Sequence, residues 1–142
     1  MGRIVAIDYG SKRTGIAVTD EGQQFAFALE TVSSHQLLKF LEDYIQKNPV
    51  DAFVVGEPRR LNNTPDDATA LVEAFVRSLK RRFEAIPVHR VDERFTSVMA
   101  KKAILDSGIG KKDRRDKSLV DKVSAAIILQ SWLEQRDFRA GL

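Results

Sequence analysis

Three acidic residues, Asp8, Glu93 and Asp121, lie far apart in the sequence at points where structural elements are expected to end or begin. Asp8 follows the apolar run Ile4–Ile7, and Glu93 comes shortly after the β-rich segment Pro87–Val91. Carboxylate oxygens are the ligands that hard divalent cations such as Mg²⁺ and Mn²⁺ prefer. If the three residues converge, they could hold one or two such ions for the hydrolysis of a phosphodiester, with the carboxylates binding metal rather than attacking the substrate.

Asp8 and Asp121 each have an ordinary structural explanation as well. An acid at the end of a buried strand must be solvated, paired or bound to a cation, and Asp8 could simply bond the backbone of the turn at Gly10. The segment from Ser118 to Asp121 matches a helix capping box, in which the acid returns to the backbone at the helix start. Against that, the small residues that follow, Ser124, Ala125 and Ala126, would let this helix approach a sheet closely.

The remaining acidic group is the pair Asp92-Glu93, which Arg94 follows. Adjacent side chains of an extended chain point to opposite sides, so only one of the two carboxylates is expected to face a site. We favour Glu93 for that position. The alternative is a surface loop in which Arg94 neutralises its acidic neighbours.

Cationic residues accompany these acids. Lys12 and Arg13 follow Asp8 closely and are expected to contact substrate phosphate, although a hairpin with exposed cations has the same pattern. Residues 80–117 carry twelve Lys or Arg against six Asp or Glu, while the whole chain has a net charge of only +3. This segment favours an anionic partner, most commonly nucleic acid, with salt-sensitive affinity; a solvated helix face is the alternative. The other candidate nucleic-acid-binding residues are Arg59, Arg60, Arg94, Arg114, Arg115 and Lys117.

The elements that must position these residues can be predicted from hydrophobic periodicity and turn residues. Strands are expected at Arg3–Tyr9, Thr14–Thr19, Phe25–Thr31, Asp51–Gly56 and Pro87–Val91. Helices are expected at Ser34–Lys47, roughly Asp66–Phe83, Ser97–Ser107 and Ser118–Gln135, with a lysine-rich loop over Gly108–Lys117. Three antiparallel strands followed by αβαβ crossovers predict an α/β domain with a mixed five-stranded sheet and helices on both faces. In the second helix, the expected core stripe is Leu71, Ala74, Phe75 and Leu79.

Composition supports one domain over residues 1–142, since 43% of the residues are hydrophobic and no linker or repeat interrupts the chain. The absence of cysteine excludes disulfides, thiolate zinc sites and cysteine nucleophiles. The short apolar run before Asp8 is unlike a secretory signal or a membrane span. We therefore expect a cytoplasmic protein without a membrane partner.

Four segments together resemble a known family, the YqgF/RuvX-like proteins of the RNase H-like superfamily. They are IVAIDYGSKRTGIAVTD (Ile4–Asp20), VVGEP (Val54–Pro58), VDERFTSVMA (Val91–Ala100) and KSLVDKVSAAIILQSWL (Lys117–Leu133). The resemblance implies an RNase H-like fold, phosphodiester hydrolysis with Mg²⁺ or Mn²⁺, and a role in pre-16S rRNA maturation or, alternatively, in resolving Holliday junctions. It maps the acidic residues of the family onto Asp8, Glu93 and Asp121. The chain departs from the family pattern at Glu57 and in Arg59–Asp67, which lacks the usual glycine.

Two other functions remain compatible with the residues. The segment IDYGSKRTGIAV also resembles the phosphate-binding hairpin of actin- and sugar-kinase-like ATPases, but those use two such domains and this chain has room for one. A nucleic-acid-binding factor without catalysis is the other possibility. Both a monomer and a homodimer are compatible with the sequence.

Overall fold

The computed structural model describes residues 2–57, 67–92 and 117–139. In these ranges the predicted order of elements is confirmed. The strands are β1 (Arg3–Asp8), β2 (Arg13–Thr19), β3 (Ala26–Ser33), β4 (Val50–Glu57) and β5 (Val88–Asp92). The helices are a 3-10 turn (Ser34–Gln36), α1 (Leu37–Lys47), α2 (Asp67–Arg82) and α3 (Lys117–Arg139). The predicted helix Ser97–Ser107 and the predicted loop up to residue 116 lie outside the described residues.

The five strands form one mixed sheet in the order β3-β2-β1-β4-β5. The first three strands pair antiparallel, and β1, β4 and β5 run parallel to one another, as expected. Parallel strands bring their carboxyl ends to the same edge of a sheet, and an antiparallel neighbour begins there. That edge therefore carries Asp8, Glu57 and Asp92 at strand ends and Arg13 at the start of β2.

The two faces of the sheet differ in the size of their side chains. The face covered by α1 and α2 presents large residues: Val5, Ile7, Ile16, Val18, Phe53 and Val55. The face covered by α3 includes three alanines, Ala6, Ala17 and Ala52, beside Ile4, Val54 and Val91, and they pack against Ala125, Ile128 and Leu129 of the helix. Small side chains on both sides of an interface let the backbones approach. Helix α3 consequently contacts β1, β2, β3 and β4.

Two of the four residues predicted to form the buried face of α2 are exposed. Phe75 and Leu79 are buried as expected, but Leu71 is 43% exposed and Ala74 is also exposed. Val72 and Val76 are buried in their place. The predicted and the observed sets both have helical spacing and share Phe75 and Leu79. The observed set, with two valines, buries more apolar surface than the predicted set, which includes an alanine.

Helix α3 also differs from its predicted bounds, because it begins at Lys117 and continues to Arg139. Lys117, predicted to lie in a loop, is therefore the first residue of the helix. Within residues 2–57, 67–92 and 117–139, no helix has the length and apolar character needed to cross a membrane.

The two leucines of α2 provide a direct test of its orientation. Leu79→Ala should lower the free energy of unfolding by about 2–5 kcal/mol, because Leu79 is fully buried against the sheet and its loss leaves a cavity. Leu71→Ala makes the same chemical change at an exposed position and should alter stability by less than about 1 kcal/mol. Urea denaturation, monitored by circular dichroism, measures the free energy of unfolding of both variants. Equal losses for the two variants would contradict the observed orientation.

Candidate active site

Asp8 ends β1 and lies directly opposite Gly15 of β2 in the antiparallel register. Directly opposed residues of such a pair project to the same face of the sheet, and side chains alternate along a strand. Ile4 and Ala6 pack under α3, so Asp8 belongs to that face too. Its side chain is partly buried at the edge of the sheet.

Gly15 brings the second acidic residue to the same point. A Cβ atom at Gly15 would overlap the backbone carbonyl of Asp121 in α3, so the helix lies directly on β2 at this glycine. Asp8 and Asp121 are thus both neighbours of Gly15, one across the strand pair and one across the helix–sheet contact. The backbones of the two acids thus meet at one glycine, and their joint role as metal ligands stays a prediction.

Arg13 provides a cation beside these acids. Its Nε donates a hydrogen bond to Asp121 Oδ2 at 2.7 Å, and the Arg13 and Asp121 side chains are 44% and 25% exposed. The carboxylate of Asp121 therefore bonds a side chain of β2. Since α3 already begins at Lys117, this contact replaces the capping-box role that the sequence left open for Asp121.

The turn that carries Lys12 and Arg13 is fixed by Ser34, a residue that the sequence analysis did not single out. Ser34 Oγ donates a hydrogen bond to the Gly10 carbonyl at 2.5 Å and lies 2.8 Å from Thr14 Oγ1. The Ser34 backbone N–H donates to the Lys12 carbonyl at 3.0 Å. These bonds hold both ends of the turn, while the Lys12 side chain is exposed at its tip. A serine directly after β3 was the only signal available in the sequence.

Several predicted site residues fall outside the described ranges, namely Glu93, Arg94, Arg59, Arg60, Arg114 and Arg115. Lys117 starts α3, as noted above. Within residues 2–57, 67–92 and 117–139, no three His, Cys, Asp or Glu residues cluster closely enough to hold a metal ion. The described part of the site thus contributes two carboxylates, whose hard oxygen donors suit Mg²⁺ or Mn²⁺, and the third predicted ligand, Glu93, lies outside it.

Strand β5 distributes its side chains between the two helical layers. Val91 packs under α3, and the His89 ring lies 5.0 Å from the Trp132 ring of that helix. Arg90 reaches the opposite layer, where its Nη2 lies 3.0 Å from Glu73 Oε1 of α2 and 3.7 Å from Glu57 Oε1. The hydrogen bond from Arg90 lowers the pKa of Glu73 below its usual value. Odd-numbered positions of β5 therefore belong to the face that carries Asp8.

Two aromatic side chains, Tyr9 and Trp132, pack against the two helical layers of the sheet. Tyr9 stacks on Phe75 of α2, with ring centroids 4.6 Å apart and planes within 9°, so it packs on the face away from Asp121. Trp132 packs against the α3-side core and lies under the Arg136 guanidinium, 5.4 Å from its ring centroid. These contacts give Trp132 a role in core packing.

Comparison with known proteins identifies the family. A family model described as "RuvX: Holliday junction resolvase" matches residues 2–135. The chain belongs to the RuvX family. The predicted family membership is confirmed over almost the whole length.

Relatives in the RuvX family are similar along their full chains. A protein of Bacteroides thetaiotaomicron is 53% identical over 138 residues, which cover 97% of this chain and 100% of the relative. One of Parabacteroides distasonis is 55% identical over 139 residues, covering 98% and 99%. Both carry the name "Putative pre-16S rRNA nuclease".

A solved structure confirms the predicted fold of this RuvX-family chain. Thermus thermophilus RuvC in complex with a Holliday junction substrate superposes with a TM-score of 0.59 over 96% of both chains, at 19% sequence identity. At that identity the likeness concerns the fold, which is the RNase H-like α/β architecture expected from the sequence.

The Gly15 contact makes a stability prediction for this RuvX-family chain. Gly15→Ala should lower the free energy of unfolding by at least about 1–3 kcal/mol, because the new methyl group meets the rigid backbone of α3 and forces the helix away from β2. Gly22→Ala is a matched control, since a Cβ there meets chiefly one Asp20 carboxylate oxygen, at 3.0 Å, in an exposed turn and not the backbone of a packed helix. Thermal and urea unfolding measure the stability of both variants. A Gly15→Ala protein as stable as Gly22→Ala would rule out the close helix–strand contact.

Proposed function

We propose that this protein is a divalent-metal-dependent nuclease that hydrolyses phosphodiester bonds in precursor 16S rRNA in the cytoplasm. The observation that carries the proposal is the meeting of Asp8 and Asp121 at Gly15, with the Arg13 guanidinium beside them. Residues separated by more than a hundred positions thereby contribute two acids and a cation to one edge of the sheet. That combination suits a metal ion and an anionic backbone.

The third ligand in the proposal is Glu93. His89 and Val91 are the β5 residues that contact the α3 side of the sheet, on which Asp8 also lies. Adjacent residues of an extended chain point to opposite sides, so one of Asp92 and Glu93 is expected to join Asp8 and Asp121. The family pattern favours Glu93.

The residues divide into two proposed roles. Asp8, Glu93 and Asp121 would hold Mg²⁺ or Mn²⁺, which supplies an activated water and stabilises the leaving oxygen when bound. Lys12 and Arg13 would bind the phosphate groups next to the scissile bond, and their turn is held rigidly by Ser34. The remaining proposed phosphate contacts, which add salt-sensitive affinity, are Arg59, Arg60, Arg94, Arg114, Arg115 and Lys117.

The substrate class rests on the relatives, whose names specify pre-16S rRNA and whose chains match this one end to end. A second candidate is a branched DNA junction, since the matching family model is described as a Holliday junction resolvase. These substrates differ in the sugar and in the branch point, so a panel of both separates them. A binding factor without catalysis would bind nucleic acid but form no product from either substrate.

Asp8→Asn should abolish metal-dependent cleavage while the protein stays folded. Replacing a residue that merely orients a metal ligand typically reduces activity by 10–100-fold, so loss of a ligand should reduce it by at least about 100-fold. Asp43→Asn is the control, because Asp43 is an exposed acid of α1. The test measures cleavage of a pre-16S rRNA fragment and of a four-way DNA junction with Mg²⁺ or Mn²⁺.

The outcomes of this panel separate the candidate functions. Cleavage of the RNA by wild type and Asp43→Asn, but not by Asp8→Asn, supports the rRNA nuclease. Cleavage of the junction alone supports the resolvase. If wild type and Asp8→Asn release equal product, the activity does not belong to this site. Binding to nucleic acid without turnover in any variant would support the non-catalytic factor.

A further inference from the structure

Arg13 and Asp121 form a short ion pair at the point where the metal site is proposed. The hydrogen bond from Arg13 Nε ends on Asp121 Oδ2 at 2.7 Å. It joins the first residue of β2 to the second turn of α3, beside the end of β1. A guanidinium therefore lies on a carboxylate oxygen that the proposed function assigns to a divalent cation.

The two cations would compete for that oxygen. A divalent ion placed within a few ångströms of a guanidinium repels it strongly, and a carboxylate oxygen that accepts a hydrogen bond from Arg13 has less electron density for a metal. An ion pair as exposed as this one shifts an equilibrium by no more than about five-fold. The pair is consequently weak enough for a bound metal to displace.

Displacement requires no rearrangement of the backbone. Arg13 opens β2 and pairs with Ser33 in the register, and the neighbouring Thr14 is fully buried. The Lys12 carbonyl is held by the Ser34 N–H. With the strand fixed on both sides and 44% of the Arg13 side chain exposed, rotation of that side chain alone would carry the guanidinium from Asp121 toward solvent.

We propose that Arg13 is an exchangeable counter-cation: it pairs with Asp121 when the divalent ion is absent, and metal binding releases it to bind substrate phosphate. This inference rests on the proposed function, because it takes Asp121 as a metal ligand. It goes beyond that function in coupling two binding events through one side chain. Since such coupling is reciprocal, metal strengthens nucleic-acid binding through Arg13, and nucleic acid strengthens metal binding by the same factor.

A rival role for Arg13 predicts the opposite effect on the metal. Arg13 could keep its bond to Oδ2 and orient Asp121 while Oδ1 binds the ion. Partners that orient a metal ligand typically strengthen metal binding by 10–100-fold. Removing Arg13 would then weaken metal binding, whereas removing a competitor strengthens it. The sign of the change in metal affinity decides between the two roles.

The test measures binding of Mn²⁺ alone to the full-length protein by isothermal titration calorimetry. Arg13→Gln should bind Mn²⁺ about two- to five-fold more tightly than wild type, and Arg13→Lys, which keeps the positive charge, should lie between them. Arg82→Gln is the matched control. Arg82 forms a similar part-exposed pair with Glu42, at 2.6 Å, between α2 and α1, so its loss should leave Mn²⁺ affinity unchanged. Circular dichroism checks that each variant is folded.

A second measurement tests the coupling to nucleic acid. Fluorescence anisotropy gives the Kd of a labelled RNA hairpin with and without Ca²⁺, a hard cation used in place of Mg²⁺, at constant ionic strength. Wild type should bind RNA more tightly with Ca²⁺. The ratio of the RNA Kd without Ca²⁺ to the Kd with Ca²⁺ should be about two- to five-fold smaller in Arg13→Gln than in wild type, matching the change in Mn²⁺ affinity. In Arg82→Gln this ratio should equal that of wild type.

The outcomes distinguish this inference from the proposed function. If Asp8→Asn and Asp121→Asn bind Mn²⁺ as well as wild type does, or wild type binds none, the metal site itself is wrong and the exchange fails with it. If both substitutions weaken Mn²⁺ binding but Arg13→Gln leaves it unchanged, the metal site stands and the exchange is overturned. Weaker Mn²⁺ binding by Arg13→Gln would overturn it as well and assign Arg13 to orienting Asp121.

Discussion

The site depends on how closely helix α3 lies on strand β2. At Gly15 the strand has no side chain, and the backbone of the helix at Asp121 occupies the space that a Cβ would take. Any residue other than glycine would push the second turn of α3 away from the sheet. Because Asp121 and Arg13 belong to the two sides of this contact, their 2.7 Å hydrogen bond depends on the same spacing.

The close approach is maintained along the helix by the small residues on that face of the sheet. Ala6, Ala17 and Ala52 lie beneath α3, where the helix contributes Ala125 and the buried Ser124. The other face carries the bulkier residues Ile7, Ile16 and Phe53 under α1 and α2, while Ile4, Val54 and Val91 complete the α3 face. Asp8 belongs to the α3 side, where Gly15 lets the helix backbone meet the strand directly.

Much of the fold could be predicted from local pattern, because each strand is a short apolar run bounded by turn residues and each helix has a periodic apolar face. The order of elements along the chain, the mixed sheet and the position of Asp8 at the end of the first strand followed from that pattern. The side of α2 that is buried did not, since two overlapping stripes containing Phe75 and Leu79 fit the helical period equally well. The stripe with two valines buries more apolar surface, a difference that counts only once the helix packs on the sheet.

The contacts that complete the site were harder to predict, for a related reason. The sequence offered Asp121 a local role as a capping residue, and its actual partner is Arg13, 108 positions earlier. Ser34 fixes the Gly10 turn from outside the hairpin, so the turn residues themselves carry no sign of it. Local propensity describes each element alone, whereas these bonds exist only after the elements have packed.

The ion pair also bears on how partly buried acids are tolerated in the folded protein. Asp8 and Asp121 are partly buried, and a carboxylate that loses hydration on folding disfavours the folded state unless it is paired. Arg13 offsets part of that penalty by placing a positive charge against Asp121, and its partial exposure keeps the gain small. Deep burial of the pair would shut the acids off from other cations, and the desolvation of both charges would offset much of their attraction. The edge of the sheet, where Arg13 is half exposed and its backbone is fixed, allows the acids to be stabilised and still remain accessible.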